Sequence, residues 1–304
     1  MTRGAPLAWD EPGWLDRATE WVDRHVQRTG PVELVLARAW SAVARVPTAD
    51  GEAWFKEAPP ALAFEPSLTA VLSARRPDLL PEVIAHEGPR LLTRDAGRRL
   101  RTQLDEGGAA PPWESLLAQQ AELQLDLVPD TDAALTLGVL DARPGLLEEL
   151  SDELPGGEDR RDAVRRAVEG LGEAVPATVV HTEAHDGNLF VADGRVRLLD
   201  WAEAVVSHPF VGMVLPLRFA AERTGGSPER LCDAYLEPFA RFAPLPQLRE
   251  AFAHGYLLGT LVRALSWNVL AMPPEVSAGL GDPVPSWLEV FVGVSDGTIT
   301  LGEA

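Results

Sequence analysis

The sequence predicts an α+β fold, in which a small antiparallel sheet carrying a helix is followed by a larger, mainly helical region. Three observations carry that expectation. Short β-like runs separated by turn residues fill 32–56 and return at 83–85 and 91–93. From Trp113 onward most of the chain shows apolar residues at helical spacing. One β-like stretch, 178–201, interrupts those helices and holds the densest polar cluster of the chain.

Taken in order, Trp14, Leu15, Ala18, Trp21, Val22 and Val26 form a helical stripe over 12–29, stopped by Gly30-Pro31. The runs 32–39, 42–46 and 53–56 then read as antiparallel strands, broken at Pro47 and at the Asp50-Gly51 turn. Residues 60–74 look helical in spite of Pro66. Residues 94–112 are polar and rich in Gly and Pro, which suits a crossover. Helices are expected at 113–127, 144–153, 159–171, 210–223, 228–241 and 247–271, with proline-marked loops at 273–274 and 283–285 and one late helix. The domain division expected is 1–97, ending in a hinge near 92–97, and 98–304.

Composition narrows the function. The chain has 304 residues, 27 basic against 46 acidic, a net charge of −19. Such acidity argues against nucleic acid and against an anionic membrane surface as partners. Cys232 is the single cysteine, so neither an intrachain disulfide nor a cysteine-built zinc site is expected. No leader and no apolar run of membrane-spanning length is visible, and a cytoplasmic protein is the expectation. Lys56 is the only lysine among those 27 basic residues, the rest being arginine. The two are not interchangeable, so a lone lysine invites a role that a point-charge ammonium fills and a guanidinium does not.

The polar cluster runs His181-Thr182-Glu183-Ala184-His185-Asp186-Gly187-Asn188, then 189–192, Asp193-Gly194, 195–199 and Asp200-Trp201. Asp-Gly between two apolar runs is a hairpin signal. With the turn there, Asn188 faces Leu199 and lies diagonally from Asp200, where side chains on one face of a hairpin converge. An amide oxygen and a carboxylate near an anionic ligand suit a hard, oxygen-loving cation, Mg²⁺ being the usual one. Glu183 lies in the loop leading into the hairpin and could face the same cleft. His181 and His185 read as hydrogen-bonded braces of that loop rather than metal ligands, since no third nitrogen or sulfur ligand lies nearby. Glu203 could orient a cationic substrate or a water.

His181, His185, Asn188, Asp200 and Trp201, as HTEAHDGN followed by DW, resemble the signature of the aminoglycoside phosphotransferase and choline kinase-like family. The resemblance covers roughly 30–270. It implies a bilobal protein-kinase-like fold and a small-molecule kinase that uses ATP or GTP with Mg²⁺. It further implies that Lys56 and Glu65 are the nucleotide-gripping pair, that Leu92 and Arg94 lie at the hinge that meets the base, and that Asn188 and Asp200 hold the metal. His254, Tyr256, Arg263 and Asn268, on a late helix, fall where the acceptor pocket would be. Two positions depart from the family pattern. Glu183 stands where the family has an aspartate that meets the acceptor hydroxyl, and Thr182 stands where it has a glycine. The small-lobe turn over the phosphates, Arg38 to Ala42, also lacks glycine.

The function expected is transfer of the γ-phosphoryl of a nucleoside triphosphate to a hydroxyl of a small molecule. The alternative is a kinase-like protein that binds nucleotide or ligand without efficient turnover, which the Glu183 departure favours. A metal-dependent hydrolase built on the His-Glu-His-Asp cluster is the third reading, and it leaves Lys56 without a role. Acceptor identity and oligomeric state are not written in the sequence.

Overall fold

Alternating small apolar residues turn the first hundred residues into a sheet. The computed structural model describes residues 7–192, 194–270 and 282–304. Strands β1 (Glu33–Arg38), β2 (Ser41–Thr48), β3 (Gly51–Glu57), β4 (Val83–Glu87) and β5 (Arg90–Arg94) form one antiparallel sheet in the order β1-β2-β3-β5-β4. Ala42, Ala44 and Val46 of β2 and Ala53 and Phe55 of β3 point to the same face and are fully buried, the period of two that half-buried strands require. Helix α1 (Trp14–Val22) covers that face with Trp14, Ala18, Trp21 and Val22. Two of its indoles also find polar partners: Trp14 Nε1 donates to Glu57 at 3.1 Å and Trp21 Nε1 to Glu87 at 2.6 Å. A large ring is thus buried without leaving its N–H orphaned.

Helix α2 (Glu65–Arg75) follows β3. The apolar pattern predicts it over 60–74, but it starts at Glu65, after a 3₁₀ turn at Pro60–Leu62. Pro66 is thereby in the first helical turn, where its missing N–H costs nothing.

The chain divides into two compact units. The first holds residues up to Arg98 together with Phe190–Ala202, and the second holds Arg99–Leu189, Glu203–Val269 and Asp282–Ala304. The sequence places the whole region after 97 in the helical part, whereas the hairpin segment belongs with the sheet unit. Local contacts explain the difference. Leu198 donates its N–H to the Leu79 carbonyl at 2.8 Å, and Arg197 reaches the Ala96 carbonyl at 3.2 Å. Ala202 packs with Ala58 and Leu62. Gly97, at φ +102°, lets the backbone of Val191 come so close that any Cβ would collide with its carbonyl oxygen. Strands β6 (Arg98–Arg99), β9 (Leu189–Ala192) and β10 (Arg195–Leu198) pair in the order β10-β9-β6. Asp193, the first residue of the expected hairpin turn, lies outside the described residues, as does the 273–274 loop; Gly194 has the positive φ, 72°, that such a turn uses.

The second unit is helical. It contains α3 (Leu100–Asp105), α4 (Trp113–Asp126), α5 (Thr131–Leu137), α6 (Leu147–Asp152), α7 (Gly157–Leu171), α8 (Val214–Thr224), α9 (Pro228–Leu236), α10 (Leu245–Leu270) and α11 (Pro283–Asp296). Helix α3 falls in the stretch read as a crossover, and α5 in one for which the pattern predicts no element. β7 (Leu140–Asp141), β8 (Thr178–Val180) and β11 (Val205–Ser207) form a three-stranded sheet in the order β7-β11-β8; β8 opens the β-like stretch 178–201, whereas the pattern does not announce β7 and β11. Two- and three-residue strands are too short to show alternation. Among the described residues no helix is long and apolar enough to cross a membrane.

The core of this unit gathers Phe210, Tyr235, Phe239 and Phe252, with ring centroids 5.2–5.9 Å apart in tilted and edge-on pairs. Trp113 is buried too. Cys232 is buried, and desolvation pushes its thiol up to about 12, which makes it an inert packing residue.

Candidate active site

In the first unit one cation and two carboxylates meet. β3 runs into the interior at Lys56, and α2 begins at Glu65. The Lys56 ammonium donates to Glu65 Oε1 at 2.6 Å and to Asp200 Oδ1 at 2.7 Å. Lys56 is 15% exposed and Glu65 only 2%. Burial alone would depress the lysine pKa, but the negative charges of Asp200 and Glu65 more than offset it, and the net shift is upward. For Glu65 burial dominates. Its carboxyl is pushed up to about 7, the Lys56 charge opposing and the Asp200 charge reinforcing the shift. Glu65 Oε2 is buried with no hydrogen-bond partner among the described residues, so the pair is held by one oxygen only. Asp200 takes φ 68°, the one non-glycine positive φ among the described residues. Aspartate tolerates that left-handed conformation better than most residues. Placed just after β10, the turn aims its carboxylate at Lys56. The following Trp201 is fully buried and donates its indole N–H to the Leu198 carbonyl at 3.4 Å.

Leu92 and Arg94 do not join this group. Leu92 is a fully buried core residue on β5, which lies between β3 and β4. Arg94 donates its backbone N–H to Glu82 at 2.9 Å, and its guanidinium is 3.7 Å from Asp50. Asp95 likewise gives its N–H to Glu52, at 3.1 Å. At Arg94 and Asp95 the backbone donors are thus already used within the first unit.

In the second unit the loop 181–188 is fixed by its own histidines. His181 Nδ1 accepts the Glu183 N–H at 3.0 Å, and His185 Nδ1 accepts the Gly187 N–H at 3.0 Å. Burial first, then the Arg101 charge, depresses the His185 pKa against the pull of Glu183 and Asp186. Asn188 donates its amide nitrogen to the Glu183 carbonyl at 3.1 Å, which turns the amide oxygen the other way. Asp186 is fully buried. It receives Arg101 Nε at 2.8 Å and Arg223 Nε at 2.8 Å, and so ties the loop to α3 and α8. Among the described residues no group of three or more His, Cys, Asp and Glu side chains could hold a metal.

The residue that sequence reasoning left among the candidates is Arg263 on α10. It is 3% exposed; its Nη2 donates to Glu183 Oε1 at 2.7 Å and its Nη1 to Glu203 Oε2 at 2.6 Å. Nη1 also reaches the Thr182 hydroxyl at 3.2 Å, and that hydroxyl donates to the Glu203 carbonyl at 3.0 Å. The guanidinium carbon lies 5.4 Å from the Trp287 ring centroid. Burial pulls the Arg263 pKa down, and the charges of Glu203 and Glu183 reverse the shift. The signal was weak because Arg263 is one arginine among many and lies 60 and 80 residues from its carboxylate partners.

No protein-family model matches the chain, and no curated protein matches it in sequence. Solved structures do match in fold. An ethanolamine kinase of Plasmodium vivax superposes with a TM-score of 0.62 at 10% identity, over 90% of this chain and 85% of that one. A GDP and kanamycin complex of APH(2")-IIia gives 0.58 at 13% identity, over 93% and 98%. The amicoumacin kinase hAmiN, in complex with AMP-PNP, Ca²⁺ and its ligand, gives 0.58 at 12% identity, over 93% and 94%. At these identities the likeness is one of fold, and it extends over nearly the full length of the chain. The chain has the α+β protein-kinase-like fold of the aminoglycoside phosphotransferases and the choline and ethanolamine kinases.

Proposed function

We propose that the protein is a small-molecule kinase that transfers the γ-phosphoryl of ATP or GTP to a hydroxyl of a small metabolite or antibiotic. The observation that carries this reading is the buried Lys56 ammonium held by Glu65 and Asp200. A lysine on a strand, fixed by a glutamate on the next helix, is the arrangement that grips nucleotide phosphates in kinases. The matched structures named above, with GDP and AMP-PNP among their ligands, support the donor class.

A carboxylate and an amide oxygen are donor types that suit Mg²⁺, and Asp200 and Asn188 would supply them, the Asn188 amide nitrogen being held by the Glu183 carbonyl. When bound, the ion supplies neutralisation of charge on the phosphate oxygens. Lys56 holds phosphate oxygens by charge. Asp200, one of its counter-ions here, would turn part of its carboxylate to the cation. Glu183 accepts a hydrogen bond from the acceptor hydroxyl and orients it, the proton leaving late in a loose transition state. The chain's acidity makes cationic acceptors the first to try.

Calorimetry with MgATP and MgGTP tests the donor. Absence of binding of either at millimolar concentration defeats the proposal. Product formation against a panel of hydroxylated amines, aminoglycosides and macrolides tests turnover. Nucleotide binding without product from any of them favours the alternative of a binding protein, for which the engagement of Glu183 with Arg263 is the relevant observation.

A further inference from the structure

Glutamate at 183 is longer than aspartate by one methylene and has one more rotatable bond, so its carboxylate needs something to fix it. Arg263 does this from a distance of 80 residues along the chain. Its fork takes one oxygen of Glu183 with Nη2 and one oxygen of Glu203 with Nη1. Glu203 is the anchor of the fork: its backbone carbonyl binds the Thr182 hydroxyl, and that same hydroxyl accepts from Arg263. The two unusual residues, Thr182 and Glu183, therefore belong to one device. A glycine at 182 has no hydroxyl to join the network, and an aspartate at 183 would fall about one bond length short of Nη2 on the same backbone. Trp287 closes the open side of the guanidinium. The cluster carries two negative charges and one positive charge, and the Arg263 Nε is buried without a partner among the described residues.

We propose that Arg263 is a positioning residue: it holds Glu183 by Oε1 so that Oε2 is presented to the acceptor hydroxyl, with Glu203 and Thr182 fixing the fork. This rests on the phosphotransferase reading for its consequence in rate but not for its geometry. A planar fork suits the task, since a lysine could hold either carboxylate as a point charge but could not fix the direction of both.

The experiment compares wild type, Arg263→Met, Arg263→Lys, Glu183→Gln and the double variant Arg263→Met/Glu183→Gln. One arm is a crystal structure of Arg263→Met. The Glu183 carboxylate is expected to move by more than about 1 Å while the 181–188 backbone stays in place, a displacement of the size that costs on the order of 10²-fold in rate. The second arm measures nucleoside diphosphate formation from MgATP and MgGTP with water, kanamycin or ethanolamine as acceptor. Arg263→Met is expected to lower kcat by about 10²-fold with the nucleotide KM changed less than about threefold. Arg263→Lys should restore part of that loss, and Arg263→Met should cause no further loss in the Glu183→Gln background. An unmoved carboxylate in Arg263→Met overturns the proposal, and so does an undiminished loss in the double variant. A wild-type protein that consumes no nucleotide with any of these acceptors counts against the kinase reading and not against the positioning, which the crystal arm decides. Should Arg263→Met not fold, Arg263→Lys serves in both arms, with an intermediate displacement expected.

Discussion

Lys56 in the first unit and Arg263 in the second are each buried and each held between two carboxylates, yet they are held in different ways. Lys56 is a compact charge touched by one oxygen from Glu65 and one from Asp200. Its own counter-ions differ in setting: burial pushes the Glu65 carboxyl up to about 7, and Asp200 is a third exposed. Arg263 is a planar fork with a hydroxyl and an indole added to its two carboxylates. A point charge among adjustable anions suits a group that must hand itself over to phosphates. A fork with both terminal nitrogens fixed suits a group whose work is to keep another side chain still. On the proposed function, the same charge count, one positive and two negative, would serve exchange in one place and rigidity in the other.

The largest test of that contrast is Lys56→Ala beside Lys56→Arg. Both should lower MgATP or MgGTP use by about 10²–10³-fold, the range for removing one preorganised charge stabiliser. An arginine that restores activity would break the distinction between point charge and fork. Asp200→Asn should also lose activity but recover part of it at raised Mg²⁺, whereas Lys56→Ala should not, as read from initial rates across a magnesium titration.

A stability comparison comes next. Glu203→Gln leaves Arg263 with one charged partner and should cost about 3 kcal/mol in urea unfolding, as when a buried pair is broken. Glu65→Gln should cost about 1 kcal/mol, because a carboxyl that titrates near 7 is already half-way to neutral at physiological pH. Equal losses would erase the difference between the two clusters.

The pH dependence is smaller and has a defined direction. Folding raises the Glu65 carboxyl from 4.5 to about 7, so the folded chain keeps a proton there that the unfolded chain has released. That contribution is full below pH 4.5 and is lost as pH rises through about 7. His208 works in the opposite sense. Buried, with Nδ1 accepting from the Phe210 N–H, it is pushed down from 6.5 to about 3 by desolvation. Its contribution is present above pH 6.5 and lost as pH falls toward 3. Unfolding midpoints across pH 3–8 should therefore show a decline on the alkaline side that Glu65→Gln flattens, and one on the acid side that His208→Asn flattens. The smallest effect serves as control: Arg249→Ala removes a bidentate pair with Asp233 that is half exposed, and should change stability by less than about 1 kcal/mol.

The two clusters also differ in how far the sequence discloses them. Lys56, Glu65 and Asp200 are all legible, the lysine by being alone, the glutamate through the family resemblance, the aspartate by its place after a hairpin. Glu183 and Glu203 are legible as carboxylates near the same motif, but their shared cation is not. Arg263 sits in a helix of 26 residues whose neighbours are mostly apolar, and only the fold brings it to the 181–188 loop. The same limit explains β7 and β11: long-range pairing of two or three residues leaves no periodic trace. It explains Arg94 as well. A strand end looks free in sequence, and only the chain packed beside it, at Glu82, shows that its donor is taken.

The solitary Lys56 has a practical corollary. Apart from the chain's amino terminus it is the only amine in the molecule, and its raised pKa keeps it protonated and poorly nucleophilic near neutral pH. An acylating reagent should thus leave the folded side chain almost unmarked and modify it readily once the chain unfolds. Mass spectrometry of a single peptide then reports the state of the Lys56–Glu65–Asp200 cluster without any substrate being known.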